Sequence, residues 1–114
     1  MDIFDIVQNG TYNEFIKSYD GDITQIDKYT KLNLLCTAML NDDLPEEKLR
    51  IIKYLLSEKA EINFLSKKEN RNALHYFFQV NWRPKIAYAY EVVELLIEAG
   101  IDVNAVDKFG STPM

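Results

Sequence analysis

The sequence predicts an all-α protein, a solenoid of antiparallel helix pairs, from three observations. The chain matches itself without a gap: Arg50-Ile51-Ile52-Lys53-Tyr54-Leu55-Leu56-Ser57-Glu58-Lys59-Ala60-Glu61-Ile62-Asn63 lies on Glu91-Val92-Val93-Glu94-Leu95-Leu96-Ile97-Glu98-Ala99-Gly100-Ile101-Asp102-Val103-Asn104. Self-similarity at a fixed offset, here the 41 residues from Arg50 to Glu91, is the mark of a repeat architecture. The apolar residues of each copy also follow a helical period, with Leu49, Ile52, Leu55 and Leu56 on one stripe. Finally, no segment alternates apolar and polar residues over the length of a strand.

The elements follow in order. Pro45-Glu46-Glu47 reads as the first turn of the long helix, because proline is tolerated there and acidic side chains suit the positive helix end. Gly100 stands where the second copy needs a left-handed terminator, and Lys59 holds the same place in the first copy, a weaker stop. A shorter helix precedes each long one, over Lys31 to Leu40 and over Asn72 to Val80, each introduced by turn-prone polar residues. The order is short helix, linker, long helix, turn, twice over.

Composition sets outer limits. The 114 residues carry 47% hydrophobic and 27% charged side chains, which suits one globular domain with one core. A net charge of −5 and a pI of about 4.8 argue against general nucleic-acid binding. Cys36 is the only cysteine and lies in the apolar run Leu34-Leu35-Cys36-Thr37-Ala38-Met39, so it reads as a small buried hydrophobe with no disulfide and no cysteine-based metal site. The N-terminus lacks the basic and apolar regions of a signal peptide, and no window approaches a membrane span. The Asn9-Gly10-Thr11 tripeptide is then a coincidental sequon, and a reducing cytoplasmic setting is expected.

These segments resemble the ankyrin repeat family, whose unit runs D-x-x-G-x-T-P-L-H-x-A-A and then E-V-V-x-L-L-L-E-A-G-A-D-V-N. The closest match is Glu91 to Asn104, followed by Asp107-Lys108-Phe109-Gly110-Ser111-Thr112-Pro113. Asn72-Ala73-Leu74-His75 stands for T-P-L-H one unit earlier, and Asp27 to Leu35 is a degenerate copy before that. Glu14-Phe15-Ile16-Lys17 and Asp22-Ile23 place a capping unit near the N-terminus. The resemblance divides the single domain into a capping unit at 1–26, repeats at 27–66 and 67–106, and the start of an incomplete repeat at 107–114. It also implies that His75 bonds backbone in neighbouring turns.

Two departures stand out. Units begin about 40 residues apart, against roughly 33 in the family, with the extra residues at Asn41 to Pro45 and at Val80 to Tyr90. Phe77 and Phe78 replace paired small alanines, so that unit needs wider or rotated packing. The longer insertion either extends the second long helix backwards and packs its aromatics on Phe77 and Phe78, which we favour, or exposes Trp82, Tyr88 and Tyr90 as a binding surface.

As to function, the resemblance implies a module that binds a protein partner through its turn fingers and short-helix face. The finger positions are Lys28, Tyr29 and Lys31, then Lys68, Glu69 and Arg71 with Lys67 beside them, then Lys108, Phe109 and Ser111. The short-helix positions are Met39, Leu40, Gln79 and Val80, with Trp82 following. Basic fingers on an acidic protein select an acidic partner patch, with Tyr29 and Phe109 as anchors; the alternative is that the fingers are simply solvated turns. A second version of the function is an inhibitor or immunity-type protein that blocks a toxin or defence enzyme. No nucleic acid, membrane, metal or cofactor is expected, and no enzyme either, since one His, one Cys and four glycines supply neither a catalytic group nor a phosphate loop. The chain stops at Met114, one residue into the first helix of a further unit, so either the natural protein continues or self-association or a partner closes that end.

Overall fold

A computed structural model describes residues 2–80 and 85–113. Among these residues there are six helices and no strand: α1 (Ile3–Asn9), α2 (Tyr12–Ser18), α3 (Leu34–Ala38), α4 (Pro45–Ser57), α5 (Ala73–Val80) and α6 (Ile86–Glu98). They form two layers. The short helices α1, α3 and α5 stack in chain order, and α2, α4 and α6 stack behind them.

The two long helices are related by the sequence offset. Each has thirteen residues, and 41 positions separate both their first and their last residues. Their ends are built alike. Lys59 N–H donates to Leu56 O and Ala60 N–H to Leu55 O; 41 residues on, Gly100 donates to Ile97 O and Ile101 to Leu96 O, each bond at 3.0 or 3.1 Å. This pair of bonds is a Schellman stop, which needs a left-handed residue just past the helix. Gly100 takes φ +97° and Lys59 φ +63°. A side chain in that region costs roughly 1–2 kcal/mol, partly offset by the chain entropy glycine would add to the unfolded state. Lys59→Gly is therefore expected to stabilise the protein by roughly 0.5–1 kcal/mol, visible as a raised melting temperature.

The start of α4 is as expected, with Pro45 in its first turn and Glu46 and Glu47 beside it. Its buried stripe is rotated from the predicted one: Lys48, Ile51, Ile52 and Leu55 are buried, whereas Leu49 and Leu56 are half-buried. Two layers of neighbours cover α4, which moves the centre of the buried face. Lys48 reaches across to α1, and its Nζ donates to the carbonyls of Val7 and Gln8. Both are last-turn carbonyls with no partner inside the helix.

The second short helix lies at Ala73–Val80, within a residue of expectation, and the first departs further. The predicted Lys31–Leu40 helix shrinks to Leu34–Ala38, because Lys31 takes φ +63° inside a turn and Asn33 caps the helix by accepting from Cys36 N–H at 2.9 Å. Ahead of it lie α2, on the Glu14–Lys17 segment read as part of a capping unit, and α1, for which the sequence reading had no helix. Asp2 caps α1, and α2 opens with a capping box in which Thr11 and Glu14 satisfy each other's backbone N–H groups. Glu47 of α4 then accepts from Tyr12 N–H at 2.8 Å, tying that pair to the rest. Behind this bond Phe15, Tyr19 and Tyr54 pack ring to ring.

The insertion before α6 behaves as the favoured reading has it at Tyr88. The long helix begins at Ile86, and the Tyr88 ring lies 5.9 Å from that of Phe77, filling the space beside the oversized phenylalanine. Tyr90 instead faces outward. Trp82 lies outside the described residues. Cys36 is buried as expected, and burial pushes its thiol up to about 12.

Candidate functional site

Three turns project from the helix layers, one before α3, one before α5 and one after α6, and each is closed in the same way. In the first, Asp27 N–H donates to Leu32 O and Lys31 N–H returns to Asp27 O. In the second, Ser66 N–H donates to Arg71 O and Asn70 N–H returns to Ser66 O. In the third, Asp107 N–H donates to Ser111 O and Gly110 N–H to Asp107 O. The returning residue is left-handed each time: Lys31 at φ +63°, Asn70 at +56° and Gly110 at +83°. The first two fingers hold one more residue between their bonded ends than the third, which is why the glycine-anchored pattern is clear only in the last.

Asparagine fastens the first two fingers to the helices that follow. Asn33 and Asn72 cap α3 and α5 and also donate through Nδ2 to Glu61 O and Asp102 O, in the loops that close their own units. His75 has the structural role its motif implies. Its Nδ1 lies 3.1 Å from Asn72 N and 3.0 Å from Asn72 Oδ1, and its Nε2 lies 3.0 Å from Ser111 O of the third finger.

Fingers two and three are latched together. Arg71 donates from Nε to Asp107 Oδ2 at 2.9 Å and from Nη1 to Glu69 and Gln79, and its guanidinium lies 5.3 Å from the centre of the Phe109 ring. Lys108 N–H donates to Glu69 O at 3.0 Å, and Asn70 Nδ2 to Val106 O at 3.2 Å. Asp107 Oδ1 also accepts from Phe109 N–H and Ser111 N–H. The Ser111 bond, and with it Arg71, holds the Asp107 carboxyl below the ordinary carboxylate range. An open depression of about 270 Å³ lies against this latch, lined by Arg71, His75, Phe78, Gln79 and Asp107.

The predicted contact residues thus separate into three groups. Lys28, Tyr29, Lys31, Lys68, Lys108, Phe109 and Ser111 are exposed, with Tyr29 at 73% and Phe109 at 64% of their full exposure. Glu69, Arg71 and Gln79 are committed to the latch, where they shape the surface. Met39 is a correction: it is wholly buried, because α3 ends one residue before it and turns it inward as the C-cap, so it cannot touch a partner. Leu40 is half-buried. Val80 closes α5, but its side chain, like all of Trp82, lies outside what is described. Among the described residues no group of His, Cys, Asp and Glu could hold a metal ion, and no helix is long and apolar enough to cross a membrane.

With the paired helices and three turns in place, residues 69–108 match the ankyrin repeat family model. Those residues carry an ankyrin repeat. Its fold is similar to the crystal structure of a functionally unknown protein from Leptotrichia buccalis C-1013-b, with a TM-score of 0.69 and 22% identity over 91% of this chain. The match covers 55% of that protein, so this chain spans about half of its length. No curated protein matches.

Proposed function

We propose that this chain is a protein-interaction module whose contact surface is the row of finger tips. Ankyrin repeats are typically interaction modules without enzymatic activity, and what supports the fingers as the surface is their electrostatics. Lys28, Lys31, Lys67, Lys68 and Lys108 form no ion pair among the described residues. Of the acids beside them, Glu69 and Asp107 are paired with Arg71 and Asp27 accepts only from Tyr29 N–H, which leaves five lysines against one unpaired carboxylate. A chain with net charge −5 therefore presents an uncompensated positive edge at its fingers. Such an edge steers an acidic partner and rejects a basic one. Tyr29 and Phe109 supply large, exposed aromatic area, each with a lysine ammonium about 5 Å from its ring centre.

The test is partner capture from the native source with the chain immobilised. Tyr29→Ala combined with Phe109→Ala should abolish retention of the specific partner, while Tyr90→Ala on the exposed face of α6 should leave it intact. Undiminished capture by the finger variant would overturn the reading.

A further inference from the structure

The finger row carries a second periodicity, apolar rather than charged. The residue just before the closing N–H of each finger is aliphatic and exposed: Ile26 at 44%, Leu65 at 42% and Val106 at 51%. One exposed aliphatic is ordinary on a protein surface. Three of them at the same position of three successive turns form a row, and no packing role accounts for their exposed halves. Two residues further on, each finger has an unpaired lysine: Lys28, Lys67 and Lys108. The edge therefore repeats one aliphatic and one cation per finger.

Successive fingers inherit the spacing of the helices they join, about 8–10 Å. A polyproline-type extended chain presents every third side chain on one face, and three residues at 3.1 Å rise advance about 9 Å. We propose, on the reading that the fingers bind the partner, that the occupant is an extended acidic segment of another protein with an aliphatic side chain at every third position. Its aliphatic residues pack on Ile26, Leu65 and Val106, and the acids between them meet the three lysines. Charge selects the segment, and apolar spacing sets its register.

The probe is a fluorescein-labelled peptide of Leu-Glu-Asp triplets, read by anisotropy beside Ser-Glu-Asp and Leu-Lys-Arg peptides of equal length. The Leu-Glu-Asp peptide should bind about tenfold more tightly than Ser-Glu-Asp, less tightly as salt rises, and the basic peptide should not bind. Ile26→Ser, Leu65→Ser and Val106→Ser together should erase the tenfold advantage and leave the Ser-Glu-Asp affinity unchanged. The three single variants should each remove part of it, which keeps the result readable if the triple variant folds poorly. Equal binding of the two acidic peptides, or an advantage that survives the substitutions, would overturn this inference and leave the basic finger edge standing. If neither acidic peptide binds, that edge fails with it.

Discussion

Lys48→Ala is expected to destabilise the protein by about 3 kcal/mol, as much as truncating a buried leucine. The side chain is buried on α4 and its ammonium serves as the C-terminal cap of α1. Truncation removes two bonds to carbonyls that no other described group satisfies, and leaves a cavity where the four-carbon stem ran. Lys48→Met separates the two contributions. It fills most of the volume and keeps only the loss of the cap, so about half the effect should remain. The damage should also be uneven. Amide exchange in α1 should quicken in both variants while α6 keeps its protection, because α1 packs on α2 and α3 and is tied to α4 through this lysine.

The same residue gives a pH dependence of unusual sign. Burial lowers the Lys48 ammonium from 10.5 to about 8, against the smaller opposing pull of Asp42 and Asp43. Between those two values the unfolded chain binds the proton and the folded chain does not, so stability rises with pH across that window. At pH 7 the lysine is charged in both states and the full burial cost is present. A neutral amine still has two N–H groups for the two carbonyls, so deprotonation keeps the cap. The native protein should therefore be more stable at pH 9 than at pH 7, and Lys48→Met should lose that difference. At pH 9 the unfolded tyrosines are still protonated, whereas the Cys36 thiol, held up to about 12 in the fold, begins to ionise in the unfolded chain and offsets part of the gain.

Most of the helix framework could be read from the sequence because it repeats. The 41-residue offset holds at both ends of α4 and α6, since two near-copies of one apolar pattern meet the same neighbours. What failed was whatever had no second copy or depended on a neighbour. The α1 helix has seven residues and no partner in the self-match, although Asp2 ahead of Ile3-Phe4 and Thr11 three before Glu14 were usable cap signals. Lys48 stands four residues before Ile52 and seven before Leu55, on the buried stripe. Its charge hid it from a search for apolar residues. Met39 went wrong differently: a family position was carried onto a helix of five residues that ends too early to present it. Within the candidate site the basic and aromatic tips were legible residue by residue. The row of Ile26, Leu65 and Val106 was not: Leu65 and Val106 keep the 41-residue offset, but Ile26 lies 39 residues before Leu65 and outside the self-match until the closing bonds align it.

Arg71 was read as a contact residue, and its geometry instead makes it the support on which the third finger stands. Arg71→Ala should leave the helix stack folded but loosen that finger, with amide exchange at Phe109 and Ser111 accelerated about tenfold or more. Its three acceptors lie on different elements: Glu69 in its own turn, Gln79 on α5 and Asp107 in the next finger. A planar guanidinium serves all three at once and stacks against Phe109, whereas an ammonium is a single point donor. Arg71→Lys should therefore restore little of the protection even though it restores the charge. Removing the arginine also strands Asp107, whose carboxylate is sheltered with its other oxygen held by the Phe109 and Ser111 amides. Because the Asp107 carboxyl titrates below its ordinary value, its contribution is complete above that value and fades as pH falls through the lowered one. The native latch should thus open only in acid, and in Arg71→Ala it should open at a higher pH. The consequence for binding follows from the connection to Phe109: an aromatic anchor that must first be ordered binds more weakly. Arg71→Ala should then weaken partner capture without removing any residue that touches the partner, and a variant with Phe109→Ala added should be scarcely weaker than either single change.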